Sequence, residues 1–466
     1  MRNMTPETVC RACNGTLFLV KEDGSKTTIF EDAAVRQELQ GAVIDSRLVK
    51  EGYLFFATPG ERVDGHDFIG KAFDLGALAV VCQRIPEGVA GLFILVEDSF
   101  VALKQIAEFY RANLTVKVVG ITGSVGKTST KEFVASVLAQ KYQVLKTEGN
   151  FNNEVGLPLT VLKIRDEHEV AVLEMGISDF GEMSRLARIA KPDLCVITNI
   201  GQCHLENLGD RDGVLKAKTE VFAYLKEGGR ACLFGDDDKL ATCKTVNGLP
   251  AIFFGTGEGA AVTGGNIVNL GLKGSTCSIH TEQGSFDVKV PLPGSHMVTN
   301  ALAATAVGLE LGLSTEEIRR GIETVPAVSG RSHIIHTDKI TIIDDCYNAN
   351  PVSMKAALTL LKEGTEGTVA LLGDMFELGE KEKELHYEVG AFAKEIGIDK
   401  LVCIGDLSEH MALGAGGADG ESVFHYATKE AFMAEKDRII KEGNAVLVKA
   451  SHGMHFEEIL TVLEQF

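Results

Sequence analysis

The sequence predicts an α/β protein of three domains, and three observations carry that expectation. The chain is 466 residues long and 45% hydrophobic, enough for several separate cores. From Thr115 onward short apolar runs alternate with helical stretches, the pattern of a parallel sheet covered on both faces. After a Pro/Gly-bearing link from Val325 to Gly330 the same alternation starts again. Boundaries near 113 and 328 therefore divide the chain into residues 1–113, 114–328 and 329–466.

The first domain is small and mixed, with strands expected at 52–57 and 77–81 and a connecting helix from Ser99 to Asn113. The central parallel sheet takes its strands from 116–121, 170–174 and 194–198, each a β-branched apolar run. Residues 251–293, rich in Gly, Thr and Ser, add antiparallel strands at its edge. Strands at 340–343, 369–372, 401–404 and 445–448 make the third domain Rossmann-like. The Gly-rich runs at 255–259 and 414–417 read as loops, because neither stands between a strand and a helix as a dinucleotide fingerprint requires.

Composition excludes several classes of partner. No apolar run approaches the ~20 residues of a membrane helix, and the first residues lack the apolar core of a signal peptide. The expectation is a cytoplasmic monomer without membrane insertion. Sixty-five acidic against 46 basic residues give a formal charge of −19, which repels nucleic acid. Cys10 and Cys13 have zinc-ligand spacing but no second pair to complete a site.

The strongest chemical signal is Gly120-Ile121-Thr122-Gly123-Ser124-Val125-Gly126-Lys127-Thr128-Ser129, between an apolar strand and a helix with Thr130, Phe133, Val134, Val137 and Leu138 on its buried face. That is the context of a P-loop, which makes the central domain an ATPase-type domain. Glycines let backbone N–H groups reach phosphate oxygens, Lys127 meets the terminal phosphates, and the Thr128 hydroxyl can hold Mg²⁺. The general pattern has glycine six residues before the lysine; Ile121 stands there.

Gly-x-x-Gly-x-x-Gly-Lys-Thr is how this loop reads in Mur ligases and folylpolyglutamate synthases. The chain resembles the Mur ligase family over essentially its full length. Matching segments are Asp45-Ser46-Arg47, residues 60–68, 149–156, Glu174-Met175-Gly176, residues 199–206, His296 and Asn300, Arg331, residues 345–351 and residues 372–379.

The resemblance implies an ATP-dependent ligase that joins D-alanyl-D-alanine to UDP-N-acetylmuramoyl-tripeptide. It assigns Gly123, Ser124, Val125, Gly126, Lys127, Thr128 and Ser129 to the nucleotide phosphates. Asn300 and Tyr347 would lie by the adenine, Asp345 by the ribose and Arg331 by the phosphates. Asn152 and Asn153 would meet the reacting carboxylate, although a plain turn explains them equally on the residues alone. Asp45, Ser46 and Arg47, a weak motif alone, would take the uridine-diphosphate end. Asn348, Asn350, Asp374, Met375 and Glu377 would face the dipeptide amine.

For metal, the resemblance places Mg²⁺ on Thr128, Glu174 and His204, with a second ion held by carbamylated Lys218 in Lys216-Ala217-Lys218-Thr219-Glu220-Val221-Phe222. Residues 213–225 read as one helix whose apolar stripe of Val214, Val221 and Leu225 includes Lys218; a lysine there either snorkels to solvent or reacts as a neutral amine. Lys216 points off the stripe. Lys449-Ala450-Ser451-His452 departs from the resembled Lys-Gly-Ser-Arg, so any charge contact of the usual arginine is weakened at His452. Within the family, the ligase that adds the third amino acid carries Asp-Asn-Pro-Arg, which is missing here. A folylpolyglutamate synthase lacks a UDP-binding first domain, and a P-loop switch or motor would hydrolyse nucleotide without either substrate.

Overall fold

The β-branched and apolar runs that predict strands are buried on both faces, so they pair in parallel and take helices as cover. The computed structural model describes residues 1–28, 33–60, 63–364 and 367–466. Among the described residues three large sheets form, of six, nine and six strands. In the first, Gly41–Val43, Tyr53–Phe56, Ala79–Cys82 and Gly91–Leu95 run parallel in that order, Thr16–Val20 follows antiparallel, and the short strand Lys26–Thr27 closes that edge.

The central sheet is built around Lys117–Thr122, flanked by Val170–Glu174 on one side and Leu194–Ile197 on the other. Connections leave this strand in both directions, which makes its carboxyl end the switch point where ligands bind in open parallel sheets. The register pairs Ile121 with Glu174 and Thr122 with Ile197, so three strand ends finish level on one rim. Ile121 is fully buried because the strand still runs at that position, which accounts for the missing glycine. Val262–Asn269, Ser275–Thr281 and Gly284–Val290 pair antiparallel at the far edge, whereas Ile252–Gly255 joins the sheet in parallel.

The phosphate-loop helix, Lys127–Leu138, is buried on more faces than its apolar stripe requires. Helices His296–Glu310 and Thr315–Glu323 cover its outer side, and Lys131 and Glu132 are buried against each other. Residues 213–225 are one α-helix, Arg211–Thr219, followed by a 3₁₀ turn, Glu220–Tyr224.

In the third sheet Thr341–Asp344, Ala445–Lys449, Thr368–Gly373, Lys400–Ile404 and Val423–Tyr426 run parallel in that order, with His333–His336 antiparallel at one edge. The segments that follow its first three parallel strands therefore share one rim, turned toward the phosphate loop. Cys10 and Cys13 are buried free thiols whose Sγ atoms donate to backbone oxygens; burial pushes the Cys13 thiol up to about 11. No group of three or more His, Cys, Asp or Glu side chains placed to share a metal ion occurs among the described residues.

Helix Ser99–Ala112 joins the first sheet to the second. Asp98 caps it, and Ala102, Leu103, Ile106 and Tyr110 belong to a core continuous with residues of the central domain. Tyr110 donates to Ile164 O at 2.6 Å. Arg111, 1% exposed, donates to Ala190 O and Lys191 O and lies 3.5 Å from Asp193. Arg111→Ala leaves those buried carbonyls unpaired and should cost about 3 kcal/mol. Urea unfolding followed by circular dichroism measures it; unchanged stability would mean that the junction does not rest on this residue.

Candidate active site

The phosphate loop is held from behind by the end of the neighbouring strand. Thr198 donates to Val125 O at 2.6 Å, while Asn199 accepts from Val125 N and donates to Val125 O, both at 3.0 Å. Gly123 has φ +148°, and a Cβ there would lie 1.9 Å from Thr198 Oγ1. Only glycine fits both the dihedral and the contact. Gly126, at φ +82°, turns the chain into the helix. Ser124 Oγ accepts from Gly201 N, and Lys127 Nζ donates to Gly123 O at 2.9 Å. Burial pushes the Lys127 ammonium below the ordinary lysine range.

Beside the loop, Glu174 is 1% exposed. Its Oε1 accepts from Asn152 Nδ2 at 2.8 Å and from Thr128 Oγ1 at 3.2 Å. Its Oε2 is buried without a hydrogen bond. A buried carboxylate oxygen with a free lone pair beside a hydroxyl suits a hard divalent cation, so these residues fit Mg²⁺. Asn153 is engaged with its own turn, accepting from Val155 N and Gly156 N.

Across the link at 325–330, Arg331 donates to Thr128 Oγ1 at 3.3 Å and lies over the Tyr347 ring at 3.9 Å. His452 stacks on Tyr347 at 5.4 Å and 28°. The ring that meets the guanidinium is thus braced by the residue that departs from the resembled arginine. Asp345 accepts from Ser332 N and pairs with buried Lys449 at 2.5 Å. Lys449, which the residue patterns did not single out as a site residue, also donates to Asn348 O. Asn300 accepts from Thr130 Oγ1 at 2.9 Å and sits beside Gly126.

A cavity of about 780 Å³ gathers these groups. Its lining includes Ser124 to Ser129, Asn152, Asn153, Glu174, His204, Asn300, Arg331, Asp345, Tyr347, Asn348 and Asn350. His204 Nδ1 lies 2.6 Å from Glu377 Oε2, an ion-pair contact not aligned as a hydrogen bond, and both residues have left-handed backbones. Burial lowers the His204 pKa, against the opposing effect of Glu377.

Lys218 is 1% exposed and close enough to Lys127 to feel its charge. Burial, then Lys127, lowers its pKa to about 8. Its side chain does not snorkel. Lys216, by contrast, rests over the Phe180 ring.

Three of the residues expected to face the dipeptide amine have side chains engaged elsewhere in the protein. Met375 is fully buried in the C-terminal core, and its backbone N–H donates to His386. Asp374 is 6% exposed and accepts from Ser408 N at 2.7 Å, which ties down the next loop; burial raises its pKa. Glu377 meets His204 rather than open cavity. Asp45, Ser46 and Arg47 form a capped 3₁₀ turn away from the cavity, with Arg47 paired to Asp45 at 2.6 Å and its side chain 78% exposed. Glu61 and Arg62, within the matching segment 60–68, lie outside the described residues.

Three family models cover most of the chain: the Mur ligase family catalytic domain at residues 38–111, the Mur ligase middle domain at 121–308 and the Mur ligase glutamate ligase domain at 330–452. This chain belongs to the Mur ligase family. A Bacillus subtilis (strain 168) relative, named UDP-N-acetylmuramoyl-tripeptide--D-alanyl-D-alanine ligase, is 39% identical over 91% of this chain and 92% of its own length. Among solved structures, MurF from Acinetobacter baumannii superposes with a TM-score of 0.88 at 31% identity, covering 99% of both chains. The MurF ligase of Thermotoga maritima in complex with ADP gives 0.78 at 31% identity, covering 91% of this chain and 97% of that one.

The Mur ligase phosphate loop generates a direct prediction. Gly123→Ala must move either the loop or Thr198, so ADP affinity by calorimetry should fall at least tenfold, about 1.4 kcal/mol, with little change in melting temperature. Retained affinity would show that the close approach at Thr198 is not required.

Proposed function

We propose that this chain is an ATP-dependent ligase that adds D-alanyl-D-alanine to UDP-N-acetylmuramoyl-tripeptide, releasing ADP and phosphate, in peptidoglycan precursor synthesis. One observation carries the reading: a single cavity brings the phosphate loop, the Glu174–Asn152 pair and the Arg331–Tyr347 pair within contact of one another. The relatives' shared name selects the substrates. We further read it as a cytoplasmic monomer; no described helix is long and apolar enough to cross a membrane.

A carboxylate and an amine do not condense unaided in water. The peptide carboxylate oxygen attacks the γ-phosphorus of ATP, ADP leaves, and an acyl phosphate remains. The D-alanyl-D-alanine nitrogen then attacks the acyl carbon, phosphate departs with the bridging oxygen, and the nitrogen loses its proton. The first step asks the protein for alignment and neutralisation of charge. Backbone N–H groups from Gly123 to Thr128 receive the phosphates. Lys127 exchanges its carbonyl partner for a phosphate oxygen, and Arg331 moves from the Thr128 hydroxyl to the γ-phosphate side.

Thr128, Glu174 and His204 would hold one Mg²⁺, and carbamylated Lys218 a second. Bound there, Mg²⁺ supplies charge neutralisation on the transferring phosphoryl group. Asn152, fixed by Glu174, orients the substrate carboxylate. Asn300 and Tyr347 flank the adenine and Asp345 the ribose. Asn348 and Asn350 take the dipeptide, while Asp374, Met375 and Glu377 shape its site through their backbone and partners. Asp45, Ser46 and exposed Arg47 take the uridine-diphosphate end, where Arg47 can exchange Asp45 for a diphosphate.

The test is phosphate release with each substrate omitted in turn. A ligase requires both UDP-tripeptide and D-alanyl-D-alanine; release independent of both would indicate a nucleotide switch. A second test addresses Lys218. Lys218→Ala should lose more than 100-fold in rate, about 2.7 kcal/mol, and regain part of it with added short-chain carboxylates. Near-normal unsupplemented activity would remove the carbamate role.

A further inference from the structure

Four charged side chains run in series from the surface to the catalytic carboxylate. Lys146, 39% exposed at its side chain, pairs with Glu132 Oε2. Glu132 Oε1 lies 3.1 Å from Lys131 Nζ, and Lys131 Nζ lies 3.9 Å from Glu174 Oε2. Lys131, Glu132 and Glu174 are 2%, 6% and 1% exposed. Burying three charges is costly unless each has a partner, and the alternation of sign makes the series neutral.

Lys131 and Glu132 stand three and four residues after Thr128 on the same helix, which brings them to the Glu174 side. The distances in the series are unequal in a consequential way. Lys131 is within hydrogen-bond reach of Glu132 and beyond it for Glu174, so the Glu174 oxygen that faces the ammonium keeps its lone pairs free. An ammonium bonded directly to that oxygen would occupy the coordination position of a divalent cation. An ammonium absent altogether would take away the cation nearest the free oxygen and leave Lys127 of the phosphate loop as a neighbouring positive charge.

We propose that Lys131 is the resting counter-ion of Glu174, and that Glu132 holds it back so that Glu174 Oε2 stays open to a divalent cation. The proposal rests on the reading of Glu174 as a metal ligand given above. Lys131 and Glu132 are positioning residues that set divalent-cation affinity in opposite directions. Lys146 anchors the outer end, keeping Glu132 oriented when Lys131 shifts.

The experiment is calorimetric titration of ADP into the whole protein across a series of Mg²⁺ concentrations, giving the Mg²⁺ concentration at which ADP affinity is half-enhanced. Lys131→Met removes the competing cation and should lower that concentration roughly fivefold. Glu132→Gln releases Lys131 onto Glu174 and should raise it by a similar factor; the double variant, with no ammonium left to release, should match Lys131→Met. Thermal melting reports on folding. Damage to the fold cannot tighten binding, so the Lys131→Met gain decides the matter even where Glu132→Gln is unstable. Weakening in both variants, or no change in Lys131→Met, overturns the proposal and leaves the metal reading intact. Wild-type ADP affinity indifferent to Mg²⁺ would overturn the metal reading itself, and the proposal with it.

Discussion

The contact on which the active site depends is the one between the phosphate loop and the strand end beside it. Thr198 and Asn199 together make three hydrogen bonds to the Val125 backbone, and Gly123 passes Thr198 where no side chain would fit. Loop N–H groups can serve an anion only if their own carbonyls are satisfied elsewhere and their directions are fixed. A parallel sheet meets both needs, because adjacent strands finish level and the loop after one can be tied to the residues after the next. Glu174 arrives on the same rim from the strand on the other side.

From that fixed edge the rest of the site assembles across a domain boundary. Arg331 and Tyr347 reach the loop from beyond the link at 325–330, and His204 meets Glu377 of the C-terminal rim. The link itself is anchored: Asp344 accepts from Gly330 N at 2.6 Å and Asp345 from Ser332 N. The substrates proposed for this Mur ligase are large and carry charge at both ends. A cavity shared between domains can open to admit them and exclude water when it closes.

Much of this was legible in the residues. The central strands, the phosphate loop and the connecting helix have patterns dictated by local physics: β-branched runs, a glycine turn, a 3.6-residue stripe. Less legible were the edge strands His333–His336 and Val423–Tyr426, four residues each, too short for a periodicity to stand out. The C-terminal segment after Gly373 carried a recognisable motif, yet Met375 turned inward and Asp374 took a backbone partner, since a motif gives position along the chain and not side-chain direction. Buried charges were the hardest to foresee. Lys131, Glu132 and Lys449 have the sequence appearance of a solvated face, and only the tertiary partners Glu174, Lys146 and Asp345 account for their burial. Lys218 stood out because its neighbours on the helix were apolar.

The central claim is that this geometry serves transfer of the γ-phosphoryl group to a carboxylate before the amide forms. UDP-N-acetylmuramoyl-tripeptide labelled with ¹⁸O in its terminal carboxylate, turned over with ATP and D-alanyl-D-alanine, tests it by mass spectrometry of the phosphate released. The account predicts one ¹⁸O in each phosphate, because the bridging oxygen leaves with phosphorus. Phosphate free of label, formed together with the amide product, would contradict it.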